Sequence, residues 1–368
     1  MKKFPLILSL ILVISLLAGC AGTPVVYYTD CTCPPAAHEE VAAPAPTTAP
    51  EAPATEAPAV AEGALKTGMA IVTSLKKSAS ATADAAGKAD YDVTMVAVLV
   101  DDNGVIQDCI IDGIAASVEF DAAGVITTDL TAAPQTKNEL GENYGMVAWG
   151  GAVAEWNEQA AAVAAACVGK HYGDLRGVVV AETGYAPEGT DLASSATIYI
   201  GGYVQAIEQA AASAQHLGAQ AGDVLKMAAI TGIGDSKSAD AENAGNAQLN
   251  VDVTALTMNG DVITSCYIDS VQAKVAFDAT GAVTTDVNTV PSTKNQLGEQ
   301  YGMVAWGGAI AEWDAQAASF AAYVTGKTAE EVAGIAITEA TKPADADLAA
   351  SVTISIIGFM NLVTKAAQ

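Results

Sequence analysis

One phrase occurs twice in this chain. Tyr144–Trp156 reads Y-G-M-V-A-W-G-G-A-V-A-E-W, and Tyr301–Trp313 reads Y-G-M-V-A-W-G-G-A-I-A-E-W. The copies continue in step, for Asp191-Leu-Ala-Ser-Ser-Ala-Thr197 is answered by Asp347-Leu-Ala-Ala-Ser-Val-Thr353. Self-similarity of this kind confines the chain to a fold built from one structural unit used twice. A duplicated fold needs only a duplicated apolar pattern. A duplicated run of Gly, Met, Trp, Glu and Thr points further, to a duplicated site.

The N-terminus sets the compartment. Lys2 and Lys3 precede an apolar run from Phe4 to Ala18 that ends Leu16-Leu17-Ala18-Gly19-Cys20. A short positive segment, a short apolar segment and a small-residue cleavage site describe a secretory signal peptide. The run is shorter than the roughly 20 residues that a spanning helix needs. Its Leu-Ala-Gly-Cys ending resembles the bacterial lipobox. That resemblance implies a signal over residues 1–19, cleavage before Cys20, and lipidation of the Cys20 thiol. The protein is then expected on the extracytoplasmic face of the cell membrane, held by lipid rather than inserted. Residues 20–62 read as a tether, because 34–62 are almost wholly Pro, Ala, Glu, Thr and Val. Such a stretch buries too little apolar surface to fold. In extended polyproline form it would span roughly 90 Å.

The remainder divides into two expected domains, 63–216 and 217–368. Units of about 150 residues bury about 68–70% of their unfolded surface, enough for cores of their own. The net charge of −26 argues against nucleic acid, whose binding rests on Lys and Arg contacts to phosphate. The histidines are His38, His171 and His216, and none belongs to the shared pattern. A Ser-His or Cys-His nucleophilic site and a histidine-rich metal site are therefore not expected. There is no P-loop and no G-x-G-x-x-G. No catalytic residue and no metal ligand is assigned. Cys109 and Cys266 occupy matching places in apolar strands and read as small buried hydrophobes. Cys167 has no counterpart, and Cys31 and Cys33 fall in the tether.

The repeat unit reads as α+β, an antiparallel sheet packed by helices on one side. Tyr91–Val100 and Val105–Asp112 flank Asp102-Asn103-Gly104, a hairpin turn signal. The second copy repeats this with Leu249–Met258, Asn259-Gly260 and Asp261–Asp269. Asp121-Ala-Ala-Gly124 and Asp278-Ala-Thr-Gly281 mark a further turn in each copy. Ala-rich helices are expected over Ala152–Val168 and Ala309–Val324. Short strands are expected over Gly177–Ala181 and Gly334–Thr338, and a last helix after Asp191 and after Asp347.

Two shared elements carry the candidate site. In the first, Thr136-Lys137-Asn138 leads through Gly141 to Tyr144, Gly145 and Met146, with its twin running from Thr293 to Met303. Donors, a cation and an aromatic ring on one short loop suit an anionic aromatic ligand; a structural loop with a satisfied lysine is the competing reading. In the second, Asp191 and Asp347 read as helix N-caps. Ser194, Ser195 and Thr197, or Ser351 and Thr353, then fall in the first turn, where free N–H groups favour phosphate.

The D-L-A-S-S-A-T element is similar to the D-x-x-S-G-A-T flavinylation motif of FMN-binding domains. In those domains a separate flavin transferase esterifies FMN phosphate to the last threonine. Lipobox, tether and paired T-K-x-x-L-G-x-x-Y-G-M loops together resemble the flavinylated lipoproteins of Gram-positive extracellular electron transfer. The resemblance implies covalent FMN, about one per domain, at Thr197 and Thr353. It places Lys137, Asn138, Tyr144 and Met146, and Lys294, Asn295, Tyr301 and Met303, beside the flavin. Trp149 and Trp306 read either as stacking surfaces for the ring or as core. Copy one departs from the motif at Ser195. Copy two departs at Ala350, Ser351 and Val352. The implied function is electron relay from a membrane quinone-linked donor to extracellular acceptors. The alternative is a non-catalytic adhesion or binding lipoprotein made of two repeats.

Overall fold

The computed structural model describes residues 63–368. The expected signal, Cys20 and tether lie outside the described residues. The described residues fall in one compact unit. It is α+β, with two antiparallel three-stranded sheets among the described residues. The first holds β1 (Lys66–Ser74), β2 (Gly87–Val100) and β3 (Ile106–Phe120), paired in that order. The second holds β4 (Val224–Gly232), β5 (Gly245–Asn259) and β6 (Val262–Phe277). Helices follow each sheet in matching order. The first set is α1 (Lys137–Leu140), α2 (Met146–Gly150), α3 (Trp156–Cys167), α4 (Asp191–Ser195) and α5 (Gly201–Ala212). The second is α6 (Lys294–Leu297), α7 (Met303–Gly307), α8 (Trp313–Val324), α9 (Ala329–Ala333), α10 (Ala346–Ala349) and α11 (Ile357–Ala366).

The apolar alternation in β2 explains the layering. Tyr91, Val93, Met95, Ala97 and Leu99 enter one core, while Val96, Val98 and Val100 enter another. Successive strand residues point to opposite faces, so the end of β2, apolar without a break from Met95 to Val100, must be covered on both. One face meets α3 and α5. The other meets the opposite sheet, whose Leu249, Val251 and Val253 join the same central core. The second sheet is covered on its far side by α8 and α11. The order is helix, sheet, sheet, helix. Helices therefore cover one side of each sheet, as expected, and the second face is buried against the other copy.

The contact between copies is reciprocal. Phe120 and Phe277, both fully buried, stack with ring centroids 3.9 Å apart and planes 2° from parallel. Ala81 donates its N–H to Gly281 O, and Ala239 donates to Gly124 O, each at 2.8 Å. Ile126 N–H donates to Ser238 Oγ and Val283 N–H to Ser80 Oγ. Gly124 and Gly281 each have φ near +69°, and a Cβ on either would meet the facing turn within 2.7 Å. Glycine is required there twice over, for backbone angle and for space.

Several expectations are corrected. The Ala-rich helices begin at Trp156 and Trp313, because Glu155 and Glu312 occupy their N-cap positions. Gly177–Ala181 is not a strand: Val178, Val179 and Val180 all turn their N–H groups back to Leu175 O. Gly334–Thr338 likewise makes only one isolated bridge, Ile337 to Pro343. β1 and β4 were not anticipated. Among the described residues no helix is long and apolar enough to cross a membrane.

Candidate functional site

The repeated phrase folds as a device that holds a tryptophan in solvent. Gly145 (φ +80°) turns the chain into α2, and Gly151 (φ +63°) turns it out again. The buried Glu155 carboxylate accepts from Met146 N at 2.9 Å and Val147 N at 3.0 Å. These are free N–H groups of the first helical turn, which a carboxylate satisfies both by hydrogen bonding and by charge. Glu155 thereby pins α2 to the start of α3. Trp149 folds back over Gly145, where a Cβ would stand 2.1 Å from its ring. The indole is nonetheless 89% exposed. Copy two repeats every part: Glu312 holds Met303 N and Val304 N, Gly302 underlies Trp306, and Trp306 is also 89% exposed. The core reading of these tryptophans is therefore wrong. Burying a large apolar side chain contributes about 1.5–3 kcal/mol, which both copies forgo. Val147 and Val153 in one copy, and Val304 and Ile310 in the other, are exposed on the same segment.

The threonine stands beside the same turn of α3. Its buried stripe is Trp156, Gln159, Ala160, Val163, Ala164 and Cys167. Gln159 is a fully buried polar residue within it. A buried amide must be satisfied. Its Nε2 donates to Ala154 O at 2.8 Å, and its Oε1 accepts from Thr197 N at 2.9 Å and faces Thr197 Oγ1 at 3.4 Å. Gln316 does the same with Ala311 and Thr353, at 2.7, 2.8 and 3.4 Å. Thr197 is exposed and Thr353 half-buried. The sequence reading passed over Gln159 and Gln316, although both sit at core spacing in the shared E-W-x-x-Q run.

The N-cap assignments shift. Thr190 caps α4 and Asp191 is its first residue; Asp345 caps α10 and Asp347 lies within it. Thr197 and Thr353 follow these short helices instead of falling in their first turns. Ser194 and Ser195 are exposed, and Ser195 Oγ donates to Asp191 O. Ser351 Oγ donates to Leu348 O.

The lysine loop is internal. Thr136 caps α1 in a capping box with Glu139. Lys137 is 6% exposed; its Nζ lies 3.6 Å from Asp92 and over the rings of Tyr144 and Trp156, at 5.3 and 4.9 Å. Lys294 lies likewise over Tyr301 and Trp313, and burial lowers its pKa, with Asp252 and Asp269 opposing. Asn138 and Asn295 donate Nδ2 to Ile111 O and Ile268 O, and their backbone N–H groups to the buried Asp112 and Asp269. Burial pushes both carboxyls up, Asp269 to about 6. Tyr144 and Met146, and Tyr301 and Met303, pack against the helix-side cores.

Cys109, Cys167 and Cys266 are buried free thiols, and burial pushes Cys167 and Cys266 to about 12. Such thiols are poor nucleophiles. Among the described residues no group of three or more His, Cys, Asp or Glu is placed to hold a metal. Comparison with family models, with curated proteins and with solved structures finds no match.

Proposed function

We propose that the chain is a lipid-anchored flavoprotein of the outer membrane face, in which two homologous domains, 63–216 and 217–368, each carry covalent FMN. It relays electrons from a membrane quinone-linked donor to extracellular acceptors. The observation that carries this reading is the clasp between threonine and glutamine, repeated with the same partners at Thr197–Gln159 and Thr353–Gln316. The clasp fixes the threonine backbone and holds its hydroxyl loosely, 3.4 Å from the glutamine oxygen, with Thr197 exposed and Thr353 half-buried. A flavin transferase needs such a hydroxyl. FMN, when bound, supplies the one- and two-electron chemistry. The chain's own part is to orient the attachment residue and to offer Trp149 and Trp306 as exposed aromatic faces, which favour offset stacking.

The test is intact and peptide mass spectrometry of the chain co-expressed with a flavin transferase. Wild type is expected to carry one FMN per domain, Thr197→Ala and Thr353→Ala one each, and the double variant none. Covalent flavin on the double variant would refute the threonine assignment. The exposed Val147, Trp149 and Val153 surface, and its twin, favour the adhesion reading if wild type never takes up flavin.

A further inference from the structure

The two threonine sites share their clasp and differ in what stands next to it. Along 196–200 burial alternates: Ala196 and Ile200 are buried, Ile198 is half-buried, and Thr197 and Tyr199 are exposed. Successive residues of an extended stretch point to opposite sides, and positions two apart lie about 7 Å from each other. Tyr199 therefore shares a side with the attachment hydroxyl. Copy two alternates in the same sense over 352–356, with Ser355 in the place of Tyr199.

The exchange is concerted. Ile200 N–H donates to Gly184 O and Ile356 N–H to Thr341 O, so Gly184 and Thr341 hold matching places, as do Tyr185 and Lys342 after them. In copy one the Tyr199 ring lies over Gly184, where a Cβ would stand 2.1 Å from it, and its hydroxyl lies over Gly201, where a Cβ would stand at 2.8 Å. Tyr185 meets that ring edge-on, with centroids 5.7 Å apart and planes at 90°. In copy two Thr341 stands on the turn at φ +57°, a left-handed angle uncommon for a β-branched residue. Its Oγ1 donates to Ser355 Oγ at 2.6 Å. Ile357 opens α11 where Gly201 opens α5. Tyr199 remains 58% exposed. A cleft of about 290 Å³ opens beside it, walled in part by Gly177, Gly184, Gly201 and Gly202. Backbone without side chains lets a ligand approach closely. Arg176 also lines the cleft but is committed to Glu208 through Nε and Nη2.

We propose, resting on the flavin reading above, that Tyr199 seats the ring of the FMN on Thr197, and that the FMN on Thr353 has no such seat. The five-carbon arm between phosphate and ring spans the separation between Thr197 and Tyr199. Aromatic rings favour offset stacking, and groups at the ring tune its electronics. Trp149 and Trp306 are common to both copies and act alike on both flavins. Tyr199 makes the two flavins unlike: one rests on a phenol, and the other stands near Ser355 and the exposed Lys342.

The test is flavin emission from full chains co-expressed with a flavin transferase and loaded at one site. Thr353→Ala leaves the flavin on Thr197, and Thr197→Ala leaves that on Thr353. Intact mass is read first, and emission is then expressed per bound flavin. An excited flavin takes an electron from a stacked phenol, the electron returns without light, and emission is lost. Emission is expected to be severalfold lower on Thr197 than on Thr353, and equal once both chains are unfolded. Tyr199→Ser in the Thr353→Ala chain is expected to raise emission to the level of the Thr353 flavin. Ser355→Tyr with Thr341→Gly and Ile357→Gly, in the Thr197→Ala chain, is expected to lower it severalfold. Chains that take up no covalent flavin overturn the flavin reading and the seat together. Loaded chains that emit alike, or emission unmoved by Tyr199→Ser, overturn the seat alone.

Discussion

Replacing Phe120 by alanine tests whether the two copies share one cooperative core. Phe120 is fully buried and stacked on Phe277 across the contact between sheets. Phe→Ala in a core costs about 3–5 kcal/mol, and an aromatic pair about 0.5–1.5 kcal/mol beyond area. Against a total stability of about 5–15 kcal/mol, this is a large fraction, and a fall in Tm on the order of 10 °C follows. The informative quantity is where the loss is felt. The cavity opens into a core lined by both sheets, so α8 and α11 are expected to lose protection as fully as α3 and α5. Hydrogen–deuterium exchange read by peptide reports this directly. Phe277→Ala is expected to give the same picture, and the double variant less than the sum, because the two rings share one cavity. The reasoning is wrong if Phe120→Ala melts in two steps, or if α8 and α11 keep full protection while α3 and α5 lose theirs.

Gly145→Ala combines a left-handed backbone angle, worth about 1–2 kcal/mol, with a clash against Trp149; it is expected to change acrylamide quenching of that indole, and Gly302→Ala that of Trp306. Asp269 has a folded-state pKa raised from 3.8 to about 6 by burial. A raised carboxyl pKa means that the unfolded chain gives up its proton first, so stability is lost as pH rises through this window. The loss is roughly 3 kcal/mol, and subtracting the urea-denaturation profile of Asp269→Asn from that of wild type should leave that slope; a flat difference curve would refute it. Cys20→Ser is expected to move the protein from the membrane fraction to the medium or to leave it unprocessed, and normal processing with membrane retention would contradict the lipid anchor.

The sequence disclosed the parts with strong local signals. Asn103-Gly104 and Asn259-Gly260 fixed the hairpins, and the Ala-rich runs from Ala152 and from Ala309 marked the long helices. β1 and β4 were passed over although Met69-Ala-Ile-Val-Thr73 and Met227-Ala-Ala-Ile-Thr231 match, because neither is joined to the next strand by a short turn signal. The valines of 178–180 suggested a strand but had no sheet edge to join, and a local turn satisfied their N–H groups instead. The unbroken apolar run of β2 carried the evidence that both faces are covered, but not what covers the second. At the candidate site the threonines were legible from the repeat, whereas Glu155 and Gln159 act on partners distant in sequence. Only the fold shows that Gln159 meets Thr197, or that Trp149 points outward.

The helix–sheet–sheet–helix order has a consequence for how the molecule meets others. Trp149 is pinned to one outer layer through Glu155, and Trp306 to the other through Glu312. With sheets about 10 Å apart and helices about 10 Å from each sheet, the outer layers are separated by roughly 30 Å. A partner docked on one tryptophan leaves the other open. A surface presenting repeated partners for these indoles would meet both at once, and its avidity would exceed either contact alone.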